Sequence, residues 1–508
     1  ALRTKNFIGI ISRIQYNSAG FASYPEIYDD WNNFGSINAS AGIRSNGQVV
    51  PWGYTHSNTT VGENGSKFFR TSGMYQTGTG DALTAAEKNK LGSGNAVRVV
   101  ANSKAMVALF EDGTFISWGD KPTGGKFPPD NNNDLVAPTN VKNIYSTEFA
   151  FIALDTTNKL TCWGGNSVAG SYQDKISAIE NVVDVFPGVA AAAALVSNGE
   201  LAVWGQANSG GINDAVEYYW LSVQNSNRVQ NVVAAFFNPR GAAAALTQDR
   251  SLYVWGNTNA GGENTGYATL KTTNVKEVKF SDYGWVVLKT DGTVITWGNT
   301  LDAGASEQRP APFGSPTSPT LQAISNSTRV SYDTYVSSSN TWIVDANGFP
   351  GLSGNATYPP KTVADLTNIQ SIYTTSQAFC ALDSNGNIYC WGEEDYGGYP
   401  HKIPRTGYPT TASGASVGFN NTLINEEMAV EVDRVYSNTY AFAAVRSKSG
   451  NATYGTRKRL RVWGGLTNGG FINQSELAMD ANNETYYNRT YGGHFVKQSV
   501  VASGADAK

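Results

Sequence analysis

The stretch Gly292-Thr-Val-Ile-Thr-Trp297-Gly298 decides the fold, because versions of it recur along the whole chain. A large apolar residue always stands three positions before the tryptophan, as Val294 does here, which is typical of a strand that faces a core. The stretch therefore predicts the second arm of a β-hairpin that ends in Trp-Gly. Seven further Trp-Gly pairs begin at Trp52, Trp118, Trp163, Trp204, Trp255, Trp391 and Trp463.

The residues upstream of each Trp-Gly pair complete the hairpin. In seven copies a leucine or isoleucine precedes the tryptophan by nine positions, after small or apolar residues such as 190–194, and this predicts a first arm buried on both faces. Another apolar strand comes before it, as in Val141-Lys-Asn-Ile144. Each repeat should thus contain about three short strands. Five copies carry a turn glycine, mostly as Asp-Gly or Asn-Gly, which favour tight hairpins: Gly47, Gly113, Gly199, Gly292 and Gly386.

A glycine six or seven residues after the tryptophan closes seven of the eight Trp-Gly units, and it is often doubled, as in Gly124-Gly125 and Gly397-Gly398. The same template fits Leu2–Ile11 and Val344–Gly354, where another residue replaces the tryptophan. About ten repeats of roughly 40–70 residues result, and this predicts an all-β propeller in which each unit buries its faces against its neighbours.

The two ends of the chain hold complementary halves of a repeat. The first arm is already under way at Leu2, and 500–508 resembles the strand that precedes this arm elsewhere. Pairing of the terminal strands would close a ring and remove free sheet edges. The alternative is a piece of a larger polypeptide or assembly, which the start at Ala1 also suggests. We expect one domain, 1–508, with insertions near 54–93, 446–461 and 481–495 and a helical signal at Asp81–Leu91.

Composition argues against several classes of partner. The net charge is −4 and only 15% of residues are charged, so no overall field attracts nucleic acid or anionic lipid. The chain lacks any run of 18 apolar residues, and its first residues lack the pattern of a signal peptide. We therefore expect no nucleic-acid partner and no direct membrane insertion.

Two of the three cysteines bear on the redox compartment. A three-residue turn at Ser384-Asn385-Gly386 would place Cys380 opposite Cys390 across a hairpin, where a disulfide is geometrically feasible. The alternative is two small core residues. Cys162 stays free in either case, so the cysteines favour an oxidising compartment only slightly.

Catalytic patterns are missing from the sequence. The chain has neither a GxSxG elbow nor a GxxxxGK[ST] loop, and its three histidines lie in polar loops without the spacing of a metal site. Adjacent carboxylates at Glu393-Glu394-Asp395 usually face water, and Asp130–Asp134 lacks the spacing of a calcium loop. We expect no enzyme activity, no cofactor and no metal.

Aromatic and basic residues that the template does not require are the candidate binding residues. Tyrosine and asparagine together suit protein or glycan surfaces. The tryptophans of the Trp-Gly pairs could be sugar-stacking platforms, but their regular recurrence at the end of a core strand favours packing between the repeats. Loops folded back over the scaffold, or solvated ones, are the alternative. The candidates are Tyr218, Tyr219 and Trp220, the Asn-rich Tyr486, Tyr487 and Tyr491, and the basic Arg457, Lys458 and Arg459.

The succession of apolar strand, Ala-Leu arm, glycine turn, second arm and Trp-Gly resembles the regulator-of-chromosome-condensation repeat. The copy from Ile144 to Gly164 looks especially like repeats of large bacterial secreted and surface proteins. The resemblance implies a β-propeller, usually of seven blades. Its known members include a nucleotide exchange factor on chromatin, a secreted β-lactamase inhibitor and surface repeats, so it implies a scaffold and no particular activity.

These observations favour a bacterial secreted or cell-surface module for adhesion, which binds a protein or glycan on another surface through its loops. Two alternatives stay open. One is an intracellular protein-docking regulator of the exchange-factor type, and the other is an architectural subunit of a filament or fibre.

Overall fold

The structure is a computed structural model of the chain. It describes residues 15–16, 22–23, 34–35, 39–43, 47–53, 83–102, 105–119, 121–127, 136–165, 176–211, 218–224, 227–263, 267–302, 320–328, 330–332, 335–336, 341–342, 362–393, 396–398, 432, 434–446, 459–464, 477–479 and 485–487. The chain divides after Thr273 into two compact units. The prediction of a single domain stays a prediction.

The first unit is a series of small antiparallel sheets. A two-stranded sheet, β1 with β2, precedes five sheets that each carry a Trp-Gly pair. The two-stranded sheet contains β1 (Gln15–Tyr16) and β2 (Ala22–Ser23). Three sheets have three strands each: β3 (Phe34–Gly35), β4 (Ala39–Ile43) and β5 (Val49–Gly53); β6 (Ala96–Ala101), β7 (Ala105–Phe110) and β8 (Phe115–Gly119); and β9 (Val141–Ser146), β10 (Ala150–Asp155) and β11 (Leu160–Gly164). Two sheets have four strands each: β12 (Val182–Pro187), β13 (Ala191–Val196), β14 (Leu201–Gly205) and β15 (Tyr219–Trp220); and β16 (Val232–Phe237), β17 (Ala242–Thr247), β18 (Leu252–Gly256) and β19 (Thr269–Thr272).

The second unit repeats this arrangement in three sheets with a Trp-Gly pair, and it also contains two short hairpins. Its strands are β20 (Val275–Phe280), β21 (Gly284–Lys289), β22 (Val294–Asp302) and β23 (Thr320–Ile324), β24 (Ser331–Tyr332), β25 (Tyr335–Val336) and β26 (Thr341–Trp342), β27 (Ile369–Thr374), β28 (Ala378–Asp383) and β29 (Ile388–Gly392), β30 (Arg434–Ser437), β31 (Ala441–Arg446) and β32 (Arg459–Gly464), and the hairpin β33 (Leu477–Met479) with β34 (Thr485–Tyr487). Short 3-10 helices occur at Lys121–Thr123, Ala207–Ser209, Thr258–Ala260 and Val363–Asp365.

The prediction of an all-β repeat fold is confirmed, because each of the eight Trp-Gly copies forms one antiparallel sheet. In the sheet of β9 to β11, Leu154 pairs with Leu160 and Ala150 pairs with Gly164, as the template requires. The copies predicted at 2–11 and 344–354 lie outside the described residues. So do the terminal strands of the proposed ring, whose closure stays a prediction.

The middle strand of each sheet packs against both neighbouring surfaces. In β13 all six residues are buried, and alanines occupy the positions 191–194. Short side chains let the next sheet approach closely, while the larger residues around them fill the space between sheets. Burial on both faces was predicted for this arm and is confirmed.

A left-handed asparagine stands directly before a strand in six of the described sheets. Asn140 has a φ of 71° and stands directly before β9. The N–H of the following Val141 donates to the carbonyl oxygen of Gly113, in the hairpin turn of the preceding sheet, over 2.9 Å. A Cβ on Gly113 would lie 2.6 Å from the Asn140 Cα, so glycine is required there. Equivalent asparagines with positive φ precede other first strands, namely Asn95, Asn181, Asn231, Asn274 and Asn368.

The helical signal near the end of the first insertion is α1 (Ala85–Ser93). Thr84 caps its N-terminus: its hydroxyl accepts from the Glu87 N–H, and the Glu87 carboxylate accepts from the Thr84 N–H, which satisfies donors that the helix leaves free. Leu91 is buried and anchors the helix on the core between β4 and β6. The rest of the insertion, up to residue 82, lies outside the described residues.

The other two predicted insertions are described in part. Arg446 pairs with Arg459 at the ends of β31 and β32, so this hairpin extends one pair beyond the Leu460 position of the template. The Asn-rich stretch contributes β34, which pairs with β33.

Candidate binding surface

The tryptophans of the Trp-Gly pairs join neighbouring sheets. The Trp163 indole N–H donates to the carbonyl oxygen of Gly124, in the glycine turn of the preceding sheet, over 3.0 Å. Its ring stacks on Phe115 of that sheet with a centroid distance of 4.9 Å. Trp255 and Trp463 make the same hydrogen bond to the carbonyls of Gly210 and Gly397. The prediction that these tryptophans pack between sheets is confirmed.

One repeat departs from this rule. Trp204 is buried, and its indole N–H has no hydrogen-bond partner among the described residues. In the sheets that precede those of Trp163, Trp255 and Trp463, glycine stands six residues after the tryptophan. In the sheet that precedes that of Trp204, this position is Ala169.

Tyr218, Tyr219 and Trp220 form the outer edge of a sheet. Trp220 pairs with Ala202 and Tyr219 pairs with Val203 across β14 and β15, so the two side chains point to opposite faces of the sheet. Tyr218 and Trp220 are half-buried and pack against the core of the unit, with their rings 5.7 Å apart in an edge-to-face arrangement. Tyr218 and Trp220 are thus held against the scaffold.

Arg228 covers the Trp220 ring. Its Cζ lies 4.6 Å from the ring centroid, and its Nη1 lies 2.6 Å from the Oε2 of Glu200. Gln230 donates from Nε2 to the Oε1 of the same carboxylate over 2.8 Å. Glu200 therefore fixes the guanidinium over the indole. We call the group formed by Tyr218, Trp220, Arg228 and Glu200 the outer-strand patch.

Burial of Glu200 and its hydrogen bonds have opposing effects on the pKa of its carboxyl. Burial raises this pKa, but hydrogen bonds from Gln230 and Arg228 favour the charged form, and the net effect lowers the pKa below its ordinary value of 4.5. A carboxyl group with a lowered folded-state pKa stabilises the fold above its ordinary value. This contribution is lost as the pH falls through the folded-state pKa.

We expect Glu200→Gln to lower the free energy of unfolding by about 1 kcal/mol at pH 7, because charge-assisted bonds to a half-exposed arginine are replaced by neutral ones. The difference from the wild type should shrink as the pH falls below 4.5 and through the lowered pKa of Glu200. Urea titrations at several pH values measure both effects. Glu180→Gln is the control, since Glu180 is exposed. A Glu200→Gln deficit that stays constant as the pH falls well below 4.5 would contradict the assignment.

Three of the six remaining candidates lie outside the described residues. Arg459 is the first residue of β32, and Tyr486 and Tyr487 lie on β34. Tyr491, Arg457 and Lys458 are outside the described ranges. The basic and tyrosine-rich clusters therefore stay predictions.

Two groups in the structure were missed by the sequence interpretation. Arg228 and Glu200 meet although they are 28 residues apart, and neither belongs to the repeat template. Tyr396 and Tyr440 form an aromatic pair with centroids 5.3 Å apart, and Tyr440 is exposed. The only sequence feature that could have identified Tyr440 is its position in the repeat. It directly precedes the middle strand, as Phe149 and Tyr283 do in other repeats.

The predicted opposition of Cys380 and Cys390 is confirmed, because the two residues pair directly across β28 and β29. Both are buried and both are free thiols in this structure, as is Cys162. Burial raises the pKa of the Cys380 thiol well above its ordinary value. A disulfide between the two stays a prediction.

The described residues include no group of three or more His, Cys, Asp or Glu side chains arranged to hold a metal ion. Within the same ranges, no helix combines the length and the apolar character that crossing a membrane requires.

Residues 369–397 match the model of the regulator of chromosome condensation (RCC1) repeat. Comparison with curated protein sequences gave no match. Among solved structures, the chain is similar to Prp20p of Saccharomyces cerevisiae at 16% identity, with 62% of this chain and 75% of that chain covered and a TM-score of 0.32. It is also similar to human WBSCR16 (14% identity, 73% and 78% covered, TM-score 0.31) and to the ectodomain of receptor kinase CR4 of Physcomitrella patens (14%, 74% and 86%, TM-score 0.32).

The matched residues span β27, β28, β29 and the glycine turn that follows them. The same three-stranded hairpin arrangement recurs at every other Trp-Gly pair in the described chain. Residues 369–397 therefore form a repeat of the regulator-of-chromosome-condensation type, and the sheets at the other Trp-Gly pairs repeat its strand arrangement.

Proposed function

We propose that this chain is a protein-binding scaffold that acts as an attachment module, and that the outer-strand patch contacts the partner. The observation that carries the proposal is the Arg228 guanidinium, held between the Glu200 carboxylate and the Trp220 ring on the outermost strand of a sheet.

An ordered arginine is well suited to protein recognition. A free arginine side chain loses rotamer freedom when it binds, which costs about 0.5–1.5 kcal/mol. Glu200 and Trp220 have already fixed Arg228, so binding requires less further ordering. The side chain is still 44% exposed, and donors other than the Nη1 bond to Glu200 are available to a partner.

The composition of the patch also favours a protein over a glycan. Tryptophan, tyrosine and arginine are the residue types that dominate the binding energy of protein interfaces. A sugar ring would need an open aromatic face, whereas one face of Trp220 is covered by Arg228 and the ring also packs against the core. A partner with carboxylate groups beside an apolar side chain matches this arrangement.

We expect Arg228→Ala to weaken binding of a protein ligand by about 30-fold, the loss typical of a residue worth about 2 kcal/mol at an interface. Peptides selected from a random displayed library on the immobilised wild-type chain supply the ligands. Their dissociation constants are then measured by calorimetry on each variant. Arg240→Ala is the matched control, because Arg240 is an exposed arginine in a turn and should leave affinity unchanged.

Circular dichroism of Arg228→Ala must match the wild type for the comparison to hold. Selected peptides that bind the Arg228→Ala and Trp220→Ala variants as tightly as the wild type would contradict the patch. A ligand found on a glycan array, together with no selected peptide, would contradict a protein partner.

We also propose that the protein acts at the cell surface or after secretion. The support is the low charge and the pair of opposed cysteines. Fractionation of the source cells tests this, and a protein confined to the cytosol would favour the docking-regulator alternative.

A further inference from the structure

Cys380 and Cys390 occupy a special kind of position in their hairpin. Asp383 donates its N–H to the Asn387 carbonyl, and Glu393 donates its N–H to the Gln377 carbonyl. Hydrogen-bonded and non-hydrogen-bonded pairs alternate along an antiparallel ladder. Counting inward from either bond makes Cys380 and Cys390 a non-hydrogen-bonded pair.

The geometry of such a pair suits a disulfide. Residues at non-hydrogen-bonded positions have Cα atoms about 4.5 Å apart, with side chains closer than at the alternate positions. Disulfides span Cα separations of about 4.4–6.8 Å. Both thiols point to the same face of the sheet, so a bond needs no change of register.

The environment of the pair prevents late oxidation. Both side chains have 0% exposure, and they pack in the core between β28, β29 and the next sheet, where Phe442 and Trp463 cover them. Thiolate is the species that reacts with disulfides, and an apolar surrounding disfavours it. A soluble oxidant meets no accessible sulfur once the second unit has folded.

We propose that Cys380 and Cys390 are a modification site that becomes a structural disulfide only while the chain folds in an oxidising compartment. One cysteine thiolate attacks a disulfide such as oxidised glutathione, which gives a mixed disulfide and one released glutathione thiolate. The second cysteine thiolate then attacks the protein sulfur of the mixed disulfide and releases the second glutathione. Two protein thiols are oxidised, one glutathione disulfide is reduced to two thiols, and the two protons pass to solvent or to the glutathione products.

Cys162 provides an internal reference. It lies on β11 in the first unit, it is buried, and burial raises the pKa of its thiol. Its cross-strand partner is Ile152, so it has no cysteine opposite it. A correctly oxidised chain therefore retains one free thiol, and that thiol is Cys162.

The test compares the full chain produced in the bacterial periplasm with the same chain produced in the cytosol. Free thiols are counted by alkylation after denaturation, and linked peptides are identified by mass spectrometry. We expect one free thiol and a Cys380–Cys390 link in the periplasmic protein, and three free thiols in the cytosolic protein. The folded cytosolic protein should keep three thiols after incubation with oxidised glutathione, but lose two when it is refolded from denaturant in the same buffer.

The periplasmic protein should also melt a few degrees higher than the cytosolic one, since the cross-link restricts the unfolded chain. Three free thiols in folded periplasmic protein, or a link that involves Cys162, would overturn the proposal. Rapid oxidation of the folded cytosolic protein would overturn its restriction to the folding stage. The Cys380→Ala variant, which should show two free thiols in both compartments, controls for the thiol count.

Discussion

Trp163→Ala is expected to lower the free energy of unfolding by about 3–5 kcal/mol, the range for a large buried aromatic residue. The Trp163 side chain has 0% exposure and contacts the aromatic rings of Phe115, Phe127 and Phe151. Its loss leaves a cavity between two sheets and removes the donor to the Gly124 carbonyl. Urea denaturation followed by circular dichroism measures the change.

Trp163→Phe separates packing from hydrogen bonding. Phenylalanine keeps much of the aromatic contact but cannot donate to Gly124, and a buried acceptor without its partner costs about 1–3 kcal/mol. We therefore expect an intermediate stability for this variant. A loss below about 1 kcal/mol for Trp163→Ala would show that the tryptophan does not join the sheets, since that is the size of an ordinary substitution.

Gly241→Ala is expected to destabilise the protein by a similar amount, about 3–5 kcal/mol, through backbone strain. Gly241 has a φ of 88°, and a Cβ there would lie 1.9 Å from the carbonyl oxygen of Asn208, in the short 3-10 helix that follows β14. No rotamer change relieves this contact because the opposing atom belongs to the backbone. The turn also holds Asn257, whose N–H donates to the Gly241 carbonyl.

Gly92→Ala is the matched control for Gly241→Ala. Gly92 lies in α1, and a Cβ there would meet no atom within 4 Å. Alanine is the better helix former, so this variant should gain about 0.5–1 kcal/mol. Thermal and urea unfolding of both variants should therefore move in opposite directions. Equal and small effects would contradict the close approach of neighbouring sheets at Gly241.

The sheets could be predicted from the sequence because their signals are local and repeated. Each hairpin carries its apolar residue three positions before the tryptophan, and Val294 pairs with Leu288 as the template requires. The spacing also identified the strand before each hairpin, such as β9. These features follow from alternation within a strand and from turn chemistry, which do not depend on remote residues.

The outer strands could not be predicted in this way. β15 and β19 are short, and neither carries a repeated apolar pattern. β24 joins its sheet from a position before the other three strands. Their pairing depends on neighbours that are distant in sequence. The left-handed asparagines, in contrast, were a repeated signal that the template overlooked, as at Asn181 and Asn231.

Only the aromatic residues of the candidate surface were predicted from the sequence. Tyr218 to Trp220 stood out because no repeat requires them, but their packing as a fourth strand changes what they can do. Arg228 and Glu200 acquire a role only when the hairpin turn and the segment after β15 meet. Such a contact leaves no pattern in a single sequence.

Exchange of the indole N–H protons tests most directly the claim that each Trp-Gly repeat is a sheet joined to the preceding one. In a chain labelled with ¹⁵N only at tryptophan, single Trp→Phe variants assign the signals. We predict slow exchange with deuterated water for Trp163, Trp255 and Trp463, whose N–H groups donate to buried glycine carbonyls. Exchange of these three protons as fast as that of an unfolded peptide would contradict the account.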